Sequence, residues 1–176
     1  MKKIILALIT IAFFSCKSEK QKLTEQIQLN EKKLFNDSTK MLIGNVADEE
    51  LNAYKKFVEQ FPQDTASPAY LFKAADLAHG MRRNKEAVGI YKEFLSKYPD
   101  NTKAAAGLFL EAFIYDNELK QKDSAKILYK QFLEKYPNNM LASSAMSSLD
   151  QIEMGLSDDD LMKMFEAKRD SAAKKP

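Results

Sequence analysis

At 176 residues and 45% hydrophobic content, the chain can build one ordinary domain or a short repeat array, which excludes wholesale disorder; 30% charged residues exclude a polytopic membrane protein. A single cysteine excludes an internal disulfide framework and a cysteine-rich zinc site. Five Gly and five Pro favour helices over turn-rich sheets, and 27 basic against 25 acidic side chains leave a formal charge of +2.

The chain opens Met1-Lys2-Lys3, followed by an apolar run from Ile4 to Phe14 broken only by Thr10. At about 1.5 Å per residue this run is too short to cross a hydrocarbon core about 30 Å thick, and its basic flank suits a secretory signal peptide. The run ends Phe13-Phe14-Ser15-Cys16, which resembles the lipobox of bacterial lipoproteins, with small Ser15 before the cysteine and Phe13 where Leu is usual. The resemblance implies cleavage before Cys16, a diacylglycerol on its sulfur and outer-membrane placement facing the periplasm. Two or more acyl chains, each contributing about 0.8 kcal/mol per buried CH₂, hold a protein stably to a bilayer. Residues 1–15 are therefore expected to leave, taking Lys2 and Lys3 with them. The remaining chain then has 25 side chains of each sign and no electrostatic reason to bind nucleic acid.

Residues 16–47 are read as a lipid-anchored tether. Leu23, Ile27 and Leu34 fall at helical spacing, so a helix over Lys22–Phe35 is the alternative.

From residue 48 to 153 a repeat governs the chain. Tyr54-Lys-Lys-Phe57-Val58-Glu-Gln-Phe61-Pro62 returns as Tyr91-Lys-Glu-Phe94-Leu95-Ser-Lys-Tyr98-Pro99 and as Tyr129-Lys-Gln-Phe132-Leu133-Glu-Lys-Tyr136-Pro137, its prolines 37 and 38 residues apart. Ala87, Tyr91, Phe94 and Tyr98 recur every three or four residues, as do Ala125, Tyr129, Phe132 and Tyr136: one helical stripe each. The proline disfavours helical geometry in the residue before it and ends the helix, and Asp100-Asn101 and Asn138-Asn139 follow as turn residues able to cap the next. A second stripe lies between: Leu71, Leu108 and Met146 each come nine residues after a proline, followed by Ala75 and Ala78 in one unit and Ala112 and Tyr115 in the next. Each unit is a helix pair whose halves cannot bury their stripes alone. Glu50 occupies the place of Ala87 and Ala125, so Asp48–Phe61 reads as an unpaired helix opening the stack. The serines and Asp150 of Asn139–Glu153 suit a helix closing it. Residues 154–176 are read as a capping helix, Asp158–Ala167, with Leu161, Met164 and Phe165 packing back, and a solvated tail.

This pattern resembles the tetratricopeptide repeat, a 34-residue helix–turn–helix unit, with three additional residues in each loop between units and one more in the Asn117–Asp123 turn. The resemblance implies an all-α fold, a short α-solenoid. The Phe-Leu-x-Lys-Tyr-Pro ending is similar to the envelope branch of the family, which includes the outer-membrane assembly lipoprotein BamD and the Tol-associated CpoB.

Catalytic chemistry finds little material. No phosphate-binding glycine loop and no metal-binding His-Glu-x-x-His is present, Cys16 is committed to lipid, and His79 is the sole imidazole. Asp158–Asp160 cap a helix better than they converge on a cation, and Arg82-Arg83-Asn84-Lys85 is too short for a nucleic-acid stripe. Neither a metal nor a cofactor beyond the lipid is expected, and no small-molecule substrate. Binding remains. The resemblance maps a concave groove onto Ala69, Phe72, Asp76 and His79, then Ala106, Phe109, Phe113 and Asp116. Either these aromatics anchor a partner segment, or terminal helices fill the groove from within. The resemblance thus implies a non-enzymatic envelope lipoprotein acting as a protein–protein adaptor. A BamD-like part in outer-membrane protein assembly and a self-associating spacer stand as alternatives.

Overall fold

The computed structural model describes residues 17–35 and 44–155, with residues 160, 162, 163 and 166 of the C-terminal segment. Cys16, Leu161, Met164 and Phe165 lie outside the described residues, as do the expected signal peptide and most of the expected capping helix.

Between residues 17 and 155 the described residues form α1 (Glu19–Phe35), α2 (Gly44–Gln60), α3 (Ser67–Gly80), α4 (Asn84–Lys97), α5 (Ala104–Phe113), α6 (Lys122–Lys135) and α7 (Ala142–Glu153). A π-helical segment, Ile114–Glu118, continues α5, and the described residues contain no strand. Each helix packs chiefly on the helix before and the helix after it, the one-dimensional order of a solenoid.

The stripes explain the pairing. Leu71, Ala75, Ala78, Ala87, Tyr91 and Phe94 are buried in one pair, and Leu108, Ala112, Ala125, Tyr129 and Phe132 in the next, with Tyr115 half-buried beside them. The loops after the prolines repeat as well. Asp64, Asn101 and Asn139 each accept, through Oδ1, the backbone N–H two residues on, from Ala66, Lys103 and Leu141. These are Asx turns that lead into a helix, rather than side-chain caps on its first turn. In the turns within pairs the left-handed residues are Arg82 (φ 61°) and Lys120 (φ 55°), not Gly80.

The residue that lengthens the second unit is absorbed by the helix, not the turn. The Arg83 N–H reaches the Ala78 carbonyl across five residues at 2.9 Å, whereas the equivalent bond, from Gln121 to Tyr115, spans six at 2.8 Å. The π segment lies inside that span, and such a bulge accommodates one extra residue without breaking the helix.

The N-terminal end differs from the sequence reading. Helix α2 is not unpaired: α1 lies against it and joins the same core, burying Leu23, Ile27 and Leu34. Glu50, fully buried where alanine stands elsewhere, lies beside Asn30 of α1 and faces Tyr54 of its own helix, although neither of its carboxyl oxygens has a hydrogen-bond partner. Helix α1 starts at Glu19, earlier than expected, because Ser18 and Gln21 form a reciprocal capping box: the Gln21 N–H donates to Ser18 Oγ (3.2 Å) and the Ser18 N–H to Gln21 Oε1 (2.9 Å). Ser18→Ala is expected to cost about 1 kcal/mol, locally. Hydrogen exchange should show α1 amides losing protection while those of α4 stay unchanged.

At the other end α7 buries Ala145 and Leu149, while Met146 is 55% exposed although its counterparts Leu71 and Leu108 are buried. The described residues of the C-terminal segment, Asp160, Met162, Lys163 and Glu166, are helical and fall within the expected capping helix, yet Met146 stays exposed.

Candidate functional site

The expected groove is a row of first-helix side chains from α3 and α5. Ala69 is exposed and Ala106 half-buried. Phe72 is core: it is 6% exposed, its ring lies edge-on to Tyr91 (5.6 Å) and Phe94 (5.3 Å), and the Lys103 ammonium covers it 4.5 Å from the ring centre. The added residues of the loop between units carry Lys103 over the ring and close it from the groove. Phe109 is half-buried on Tyr129 (5.9 Å) and Phe132 (5.8 Å), with Leu141 at the position corresponding to Lys103 and half-buried against the same cluster. Phe72 and Phe109 therefore do not form a free aromatic pair. Phe113 is half-buried.

The polar members divide the same way. Asp76 is exposed and accepts a hydrogen bond from the Tyr91 hydroxyl. Asp116 is not a rim residue: it is 4% exposed and ion-paired with Lys122, because the π segment turns it inward. His79, half-buried, has Nε2 3.9 Å from Glu118 and 28% of its side chain exposed.

A feature missed by pattern reading recurs along the stack. Each helix pair sets a carboxylate of its first helix against a tyrosine of its second. The Tyr54 hydroxyl donates to Glu31 Oε1 at 2.7 Å, and Tyr91 donates to Asp76. Tyr129, buried and without a hydrogen-bond partner, faces Asp116 and Ser148. Burial would raise the Glu31 carboxyl, but bonds from Lys73 (2.7 Å) and Tyr54 outweigh it and hold it below its ordinary value. The tyrosines move the other way. Burial and the neighbouring carboxylates raise Tyr54 and Tyr91 far above the ordinary phenol range, and burial pushes Tyr129 up to about 12. The Tyr54 and Tyr91 hydroxyls are donors that tie their pairs together. The available signal was the recurrence of tyrosine as the second member of the stripe, at Tyr54, Tyr91 and Tyr129, a residue whose buried hydroxyl requires an acceptor.

Among the described residues no three His, Cys, Asp or Glu side chains are placed to hold a metal ion, and no helix is long and apolar enough to cross a membrane. What the arrangement offers chemically is a mixed surface of half-buried aromatics and paired charges.

The tetratricopeptide repeat family matches the chain twice, over residues 69–101 and 106–139. These spans coincide with the α3–α4 and α5–α6 pairs. None of the curated proteins matches the chain. The fold is an all-α solenoid carrying tetratricopeptide repeats, and such repeats support a role in protein–protein interaction.

Proposed function

We propose that the chain is a non-enzymatic adaptor of the bacterial envelope, anchored through lipid on Cys16 to the periplasmic face of the outer membrane and binding a segment of another envelope protein. The observation that carries the binding half is the repeat stack, which leaves Phe109 and Phe113 half-exposed on α5 and Asp76 exposed one layer earlier, at the position equivalent to Phe113. Aromatic anchors beside a polar rim are the usual composition of a binding hot spot. The anchoring half is supported by the placement of the only cysteine, directly after Ser15 and the apolar run.

Two variants test the halves separately. Cys16→Ala is expected to move the protein from the membrane to the soluble fraction; unchanged fractionation would remove the anchor. Phe109→Ala combined with Phe113→Ala should lose a partner crosslinked in native membranes while the circular dichroism of the helices persists. If crosslinking is unaffected, binding does not use this face.

A further inference from the structure

A second surface lies on the other side of α5. Glu111 is two residues from Phe109, about 200° around the helix, so the two point in nearly opposite directions. Glu111 forms the floor of a slot of about 190 Å³ between α4 and α6, walled by Lys92, Tyr115, Ser124, Ile127 and Leu128. One layer earlier the residue equivalent to Glu111, twelve after the proline, is Ala74, fully buried and without a carboxyl. A carboxyl on the floor is thus a property of this layer, and α7 carries Leu149 at the corresponding place.

The carboxyl is poorly served where it stands. Glu111 is 2% exposed and its Oε1 has no hydrogen-bond partner. The nearest cation, Lys92 Nζ, is 3.9 Å away and spends its bond on the Tyr115 hydroxyl at 2.9 Å, with its ammonium 5.3 Å from the Tyr115 ring centre. A buried carboxylate without a donor is costly, so a donor reaching it is strongly favoured. The Lys92 side chain is 57% exposed and can swing away into solvent.

We infer that this slot accepts one arginine side chain of a partner protein, its guanidinium replacing the Lys92 ammonium between Glu111 and Tyr115. The slot is smaller than small-molecule pockets, which run about 300–1,000 Å³, and fits a single long side chain. A guanidinium supplies the planar pair of donors that a carboxylate takes in two-point fashion, and it stacks on an aromatic face; an ammonium does neither. Ile127, 67% exposed at the mouth, offers an apolar contact to the residue beside the arginine. This site is independent of the groove face, so the variants Phe109→Ala and Phe113→Ala leave it intact and each proposal can fail alone.

The test is a titration of the isotope-labelled full chain with acetyl-Leu-Arg-Ala-amide, followed by backbone amide shifts. The citrulline counterpart, equal in shape but uncharged, serves as control. Saturable shifts are expected at Lys92, Glu111, Ser124 and Ile127, with at least about tenfold weaker binding of the citrulline peptide and of the arginine peptide to Glu111→Gln. Lys92→Ala, a surface change that spares the fold, should tighten binding by removing the competitor. Absence of saturable shifts at these residues, equal affinity for citrulline, undiminished binding by Glu111→Gln, or binding not tightened by Lys92→Ala would each overturn the assignment.

Discussion

Phe94→Ala is expected to cost about 3–5 kcal/mol. The ring is fully buried, packs at 5.3 Å on Phe72 within its own pair and at 6.1 Å on Tyr98, and lies against the next pair, where a Cβ added to Gly107 would meet it at 3.2 Å. One side chain thus serves both the inside of a pair and the interface between pairs. In a solenoid, stability is a sum of unit and interface terms, so its removal weakens two terms together. Urea denaturation should show the midpoint falling steeply, with melting lower by roughly 10 °C. Ile127→Ala, on a residue 67% exposed, is the control and should stay within about 0.5 kcal/mol of the parent. A loss of under 1 kcal/mol for Phe94→Ala would mean that the pairs are not coupled through this ring.

Stability is expected to fall as pH rises from about 5 to 8. Burial pushes both Glu50 and Glu111 from the ordinary 4.5 up to about 7. Below the ordinary value both folded and unfolded chains hold these protons, so neither group changes the balance. Between about 4.5 and 7 the folded chain keeps a proton that the unfolded chain has released, so the unfolded state gains with each step of pH. Above 7 the deficit is complete, on the order of 3 kcal/mol for each group. Glu31, Asp64 and Glu153, held low by their lysine partners, act oppositely and only in acid, where their protonation removes stability. The maximum should therefore lie near pH 5. Glu50→Gln keeps the shape and cannot ionise. It should match the parent at pH 5 and exceed it at pH 8, by up to about 3 kcal/mol. Denaturation midpoints of both chains across that range check this; parallel curves would show that Glu50 ionises freely in the folded state.

The helix pairs and their order were legible because their causes are local. A tyrosine, a phenylalanine and an alanine at intervals of three and four must face one way on a helix, and Tyr-Pro must end it, wherever the helix then packs. The same locality placed Leu23, Ile27 and Leu34 on one stripe. It did not reveal that α1 starts at Glu19 or completes a pair with α2, although Ser18 and Gln21 spelled a capping box three residues apart. Glu50 obscured the pairing, since a carboxyl in an alanine position reads as the edge of a stack until Asn30 is seen beside it.

For the candidate groove the sequence determined which side chains leave α3 and α5 on one face. Tertiary structure alone decided their fates. Phe72 and Phe109 hold equivalent positions, yet one is sealed beneath Lys103 and the other half-open, because the loop residue above each ring comes from the following unit. Asp116, at the position of His79, is turned inward where the π segment winds one extra residue into the helix, whereas Asp76, three residues nearer its proline, stays exposed. Glu111 reads as an ordinary helix-surface charge; only the approach of α4 and α6 buries it. A side chain's direction follows from its own helix, but its exposure follows from neighbours distant in sequence. The repeat could therefore be read residue by residue, while its binding surfaces could not.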